Sequence, residues 1–132
     1  MLTEDDVIDA VRDHLVAQGW EVVTRARATQ RGEDLVVARH GQRLSIEAKG
    51  EGSSKEGTAR YGKTFSNAQV RSHVARAVLT ALQVVSAGTQ SAAVALPDTP
   101  AHQQHVQRVR VALDRLGVKV FWVAAGGGVS LG

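Results

Sequence analysis

Apolar positions recur along this chain with two different periods, and the switches between them divide it into elements. Val7, Ile8, Val11 and Leu15 form a stripe at helical spacing. Thr3 stands where an N-cap belongs, acids fill the first turn, and Gly19 ends the segment. The pattern then shifts toward strands: "WEVVTRA", "DLVVAR" and "RLSIEAK", with His40–Gly41 between the last two predicting a tight hairpin. "KGEGSSKEGTARYGK" is poor in apolar residues and rich in glycine, which predicts a mobile loop. Helical spacing returns from Ser66 or Asn67 to about Ala87, with Val70, Val74, Val78, Ala81 and Val85 on the apolar side. Gln69, His73, Arg76, Thr80 and Gln83 lie on its polar side. "SAAVAL" predicts a short buried strand, and "PDTP" a turn into a helix with Val106, Val109, Leu113 and Leu116 on one face. "VKVFWVA", a turn at "GGG" and "VSL" complete the chain.

The order is α-β-β-β-α-β-α-β-β. A strand, a helix and a returning strand imply a right-handed crossover, so the sheet should be mixed, with helices on both faces. At 132 residues, without an internal repeat or linker, residues 1–132 make one α/β domain.

Composition narrows the classes of function. The chain is 43% hydrophobic and 22% charged, ordinary for a globular protein. No apolar run approaches the roughly 20 residues that span a bilayer. "MLTEDDVIDA" is too acidic for a signal or transit peptide, so a cytoplasmic protein is expected. The absence of cysteine excludes disulfides and cysteine-ligated metals. The net charge of +3 is unevenly spread: residues 1–13 hold five acids against Arg12, while 49–76 hold six bases against two acids. Such a basic region suits a polyanion, or simply a solvated surface.

The hairpin carries the candidate chemistry. Alternation puts Leu44, Ile46 and Ala48 on one face and Ser45, Glu47 and Lys49 on the other, successive members roughly 6.6 Å apart. A turn centred on His40–Gly41 sets Asp34 opposite Glu47, Cβ atoms roughly 5 Å apart. Two facing carboxylates destabilise a sheet unless a positive charge compensates, and Lys49 or a divalent cation could serve. A surface Asp–Glu–Lys cluster without function would share this spacing.

"GEDLVVARHGQRLSIEAKG" resembles the core of the PD-(D/E)xK, or restriction-endonuclease-like, nucleases. Their signature is an aspartate at a strand start followed on the neighbouring strand by Glu-x-Lys. Asp34 matches the aspartate, and Glu47, Ala48 and Lys49 the Glu-x-Lys; Glu33 stands where the usual proline would. The order over residues 3–96 matches the family's αβββαβ core, with an extra C-terminal helix and β-hairpin. In style the chain is similar to Holliday-junction resolvases and stand-alone restriction-type domains.

The resemblance implies a metal-dependent DNA endonuclease of defence, repair or recombination. Asp34, Glu47 and the Ala48 carbonyl would hold Mg²⁺, with Mn²⁺ able to substitute, and Lys49 would orient or help deprotonate the attacking water. Glu4 is the choice for a further acid from the first helix, with Asp5 and Asp9 as rivals; all three could instead complement the helix dipole. Gln69, one helical turn before His73, resembles a catalytic sub-motif that usually has an aromatic residue in the second position. Lys55, Arg60, Lys63, Arg71 and Arg76 are candidates to contact the DNA backbone, and Tyr61 and Phe65 to stack on bases. Because one active site cuts one strand, a homodimer is expected, with Val118, Phe121, Trp122 and the C-terminal hairpin as its guessed interface. No membrane or small-molecule cofactor is expected. An alternative is a nucleic-acid-binding accessory subunit that kept the fold but turns over weakly. His102 and His105 invite a metal reading, which a solvated helix face outweighs. "AGGG" suggests a phosphate cradle but lacks the Lys-Ser/Thr that should follow.

Overall fold

A computed structural model of the chain describes residues 1–26, 33–52 and 64–132. The elements run α1 (Glu4–Ala17), β1 (Glu21–Arg25), β2 (Leu35–Arg39), β3 (Gln42–Ala48), α2 (Asn67–Ala87), β4 (Ser91–Pro97), α3 (Pro100–Gln107), α4 (Arg110–Leu116), β5 (Lys119–Val123) and β6 (Val129–Leu131). The expected loop after Lys49 lies largely outside the described residues. Among those residues, no helix is long and apolar enough to cross a membrane.

The six strands form one mixed sheet in the order β1-β2-β3-β4-β5-β6. The first three are antiparallel, β3, β4 and β5 run parallel, and β6 returns antiparallel to β5. Each parallel step needs a crossover, supplied by α2 and then by α3 with α4. Crossovers of one hand in one direction land on one face, so α2, α3 and α4 share a side and α1 covers the other.

Two apolar cores follow. Val7, Ile8, Val11 and Leu15 of α1 pack on Leu35, Val37, Leu44, Ile46 and Ala48, the face expected from alternation. On the opposite side Val70, Val74, Ala77 and Ala81 of α2 join Val106 and Leu113 over Val94, Leu96, Val120 and Trp122. The helices start where the sequence says they should. Thr3 with Asp6 and Ser66 with Gln69 form reciprocal capping boxes, each satisfying two backbone donors that the helix cannot.

Three expectations fail here. The helix expected after "PDTP" is two, broken at Arg108–Val109, where Val109 leaves helical geometry at φ −121°, ψ 8°. Val109 and Leu116 therefore miss the core stripe and remain exposed. Val118, Phe121 and Trp122, guessed as a dimer interface, are 3–4% exposed within the chain's own cores, because β5 is an inner strand covered on both faces. His102, assigned to a solvated helix face, is buried at 1% exposure, its ring Nδ1 2.6 Å from the Thr99 hydroxyl.

Candidate active site at the open end of the β2–β3 hairpin

The hairpin turn sets the geometry of the carboxylates. His40 and Gly41 take left-handed backbone conformations, φ 53° and 77°, as a two-residue turn that matches strand twist requires. The ladder then pairs Arg39 with Gln42, Val37 with Leu44 and Leu35 with Ile46, without a bulge. One step further, Asp34 faces Glu47 on the side of the sheet that carries α2. The register deduced from the turn is the register observed.

Asp34 Oδ2 accepts a hydrogen bond from the Ala48 amide at 2.9 Å, which fixes that carboxylate against the end of β3. Asp34 and Glu47 also share a side-chain hydrogen bond. Burial, and then the charge of Asp34, pushes the Glu47 carboxyl up to about 7. Burial also raises Asp34, against the amide of Ala48 and the nearby charge of Lys49. Lys49 Nζ lies 3.7 Å from Glu47 Oε1, both side chains at most one-fifth exposed. The three residues matched to the nuclease signature thus sit together, half-sheltered, with more acid than base.

The first turn of α1 closes the site. Burial, then the charge of Asp34, pushes Glu4 up to about 7. Its rivals are engaged elsewhere. Arg25 donates to Asp9 Oδ1 at 2.7 and 3.1 Å and to Asp5 Oδ1 at 3.2 Å, pinning β1 to the outer side of α1. Gly50 explains how Glu4 comes so near. A Cβ there would lie 2.5 Å from the Glu4 amide nitrogen and 2.7 Å from the Thr3 carbonyl carbon, so only glycine allows this approach. Glu51 completes the latch, accepting from the Leu2 amide at 2.7 Å and donating its own amide to the Leu2 carbonyl at 2.8 Å.

Among the described residues, the remaining candidates lie on α2 and in the loops. The Gln69 side-chain oxygen accepts from the Ser66 amide at 2.8 Å in the helix cap. His73 packs edge-on against Phe65 with ring centroids 4.3 Å apart, and burial, followed by the charges of Lys49 and Arg76, lowers its pKa. Arg76 is exposed; Arg71 is exposed and lines a groove between α2 and α3. Lys55, Arg60, Tyr61 and Lys63 lie outside the described residues. The glycines at 126–128 form the β5–β6 turn, with the Ala124 amide donating to the Gly128 carbonyl at 2.8 Å. Arg25, Gly50 and Glu51 were missed in the sequence. Arg25 meets partners 16 and 20 positions away, beyond any local rule, whereas a glycine directly after Glu-x-Lys was a readable hint of close packing.

Among the described residues no group of three or more His, Asp or Glu side chains stands ready to hold a metal ion. The donors present nevertheless suit a hard divalent cation. Burial raises both of two facing carboxylates, with Lys49 beside Glu47, and Mg²⁺ is commonly held by one or two carboxylates with waters and phosphate oxygens completing its shell.

The fold has relatives among solved structures. A XisH family protein from Nostoc punctiforme matches with a TM-score of 0.58 at 14% identity, over 95% of this chain and 96% of that one. An fdxN element excision controlling factor protein from Anabaena variabilis matches with a TM-score of 0.52 at 16% identity, over 96% of each chain. The chain matches no family model and no curated protein. At these identities the likeness establishes architecture: a restriction-endonuclease-like α/β fold, spanning nearly the whole of each chain.

Proposed function

We propose that this chain is a metal-dependent nuclease of the PD-(D/E)xK kind, acting on DNA. The observation that carries the reading is the placement of Asp34 opposite Glu47, with Lys49 beside Glu47 and Glu4 closing the far side. Asp34 and Glu47 would hold Mg²⁺, with the Ala48 carbonyl and Glu4 as further oxygen donors; Mn²⁺ would substitute. Such a cation supplies acidification of water and neutralisation of phosphate charge. Lys49, beside the carboxylates, would orient or help deprotonate the attacking water and stabilise charge developing on the phosphoryl oxygens. Arg76, with Lys55, Arg60 and Lys63, would hold the DNA backbone by charge, giving affinity without sequence preference. A homodimer would cut both strands of a duplex.

A second reading is a binding subunit with little turnover. Gln69 supports it, since its side-chain oxygen serves a helix cap. So does the description of the Anabaena variabilis structure as a controlling factor for excision, which is compatible with a regulatory role on DNA.

The test is cleavage of supercoiled plasmid and of a branched duplex with Mg²⁺, Mn²⁺ or EDTA, beside Asp34→Ala and Lys49→Ala. The expected result is metal-dependent cutting that falls by about a thousandfold or more in both variants. Undiminished cutting in the variants overturns the site. DNA binding with steep salt dependence but no cutting by the parent moves the accessory reading ahead.

A further inference from the structure

The break between α3 and α4 leaves apolar surface that has no partner among the described residues. Val109 and Leu116 would be buried by an unbroken helix, yet they are 38% and 48% exposed. Leu79 on α2 and Val111 on α4 are more open still, at 58% and 66%. Val78, Leu79 and Leu82 of α2 face Val109 across a cavity of about 610 Å³. Beyond Val109 the surface continues into a hollow of about 520 Å³ along α4, lined by Val111 and Leu116.

The charge around this groove has one sign. Arg71 and Arg108 line the first hollow and Arg108 and Arg115 the second, and no acid lines either. All three arginines are exposed, and none is ion-paired among the described residues. An apolar floor between uncompensated guanidiniums specifies both halves of an occupant.

We propose that the groove between α2 and the α3–α4 pair docks an acidic amphipathic helix of a partner protein. Apolar side chains at i, i+4 and i+7 fill the floor between α2 and Val109, and carboxylates along the flanks meet Arg71, Arg108 and Arg115. Nucleic acid fits less well, because phosphates gain nothing from a floor of valine and leucine. A second copy of this chain fits poorly too. Its acids cluster on α1, whose apolar residues Val7, Ile8, Val11 and Leu15 are already buried in its own core.

The test is selection of displayed helical peptides on the full chain, with counter-selection on Leu79→Asp, an exposed position whose variant should fold as the parent does. The enriched peptides are expected to carry acids around an i, i+4, i+7 apolar stripe. Measured by fluorescence anisotropy, they should bind Leu79→Asp and Arg108→Glu about tenfold more weakly than the parent, and more weakly at high salt. Failure to enrich peptides, enrichment of basic or neutral ones, or binding indifferent to both substitutions overturns the proposal. Sedimentation velocity showing a dimer that Leu79→Asp breaks assigns the groove to a second copy instead. Duplex DNA binding lost in Arg108→Glu but retained in Leu79→Asp assigns it to nucleic acid. Neither result touches Asp34, Glu47 or Lys49, so the nuclease reading stands or falls separately.

Discussion

The two faces of the sheet are covered in opposite ways. On one, a single helix is held by polar latches: Arg25 grips Asp5 and Asp9, Glu51 grips the backbone of Leu2, and Gly50 lets the chain touch the first turn of α1. On the other, three helices rest mainly on apolar contacts, with one hydrogen bond from His105 to Asn67 between α3 and α2 and one from Arg110 to the Gly132 carbonyl, and they stop short, leaving Leu79, Val109, Val111 and Leu116 open. Hydrophobic contact is non-directional and tolerates such slack, whereas hydrogen bonds and a missing Cβ define position to fractions of an ångström. The latched face is the one that delivers a side chain, Glu4, to the carboxylates. Directional interactions have collected where a position matters.

Gly50→Val should break this comparison most severely. The new side chain meets backbone atoms of Thr3 and Glu4 within 3 Å, and neither can move without unseating α1. A loss of about 3 kcal/mol or more is expected in urea denaturation, together with lost cleavage.

Titration should separate the faces by sign. Burial pushes the His102 ring, beneath α3, down to about 4 from 6.5. The unfolded chain therefore takes up this proton first as pH falls. Stability present above pH 6.5 is lost toward pH 4, by as much as about 3 kcal/mol at this buried site. Urea melts across that window should show the loss, and His102→Met should shrink it.

The carboxylate end should respond in the other direction. Glu4 is raised to about 7 from 4.5, so its native state is best placed while protonated and loses ground as pH climbs through 7. In EDTA, Glu4→Gln should be more stable than the parent at pH 8, by about 1 kcal/mol after allowance for solvent screening, and equal to it near pH 4.5. Thermal melts with added Mg²⁺ should favour the parent instead, since a cation rewards the charge that Gln lacks. The smallest effect belongs to the open face. Leu116→Lys, at a half-exposed position, should change stability by no more than about 0.5 kcal/mol and leave cleavage unchanged.

Much of this was legible in the sequence, and the lapses share a cause. The hairpin register could be read because His40–Gly41 and period-two alternation are local signals that agree. The caps at Thr3 and Ser66 were local as well. The helix break at Arg108–Val109 was not legible, since Val106, Val109, Leu113 and Leu116 keep their helical spacing across it. The choice among Glu4, Asp5 and Asp9 turned on Arg25, a residue of another element. Phe121 and Trp122 as a guessed interface ignored what their adjacency implies: neighbouring bulky residues in a strand point to opposite faces, so both faces must be covered.

The two-residue turn also has a consequence in time. Hairpins with such short loops close in about 1–10 μs, long before a crossover through a 21-residue helix can bring β4 beside β3. Asp34 and Glu47 therefore meet early, on a ribbon still open to water, where solvent screens their repulsion. Once α1, β4 and α2 cover them that screening fades, and the pair meets at full strength only in the assembled fold.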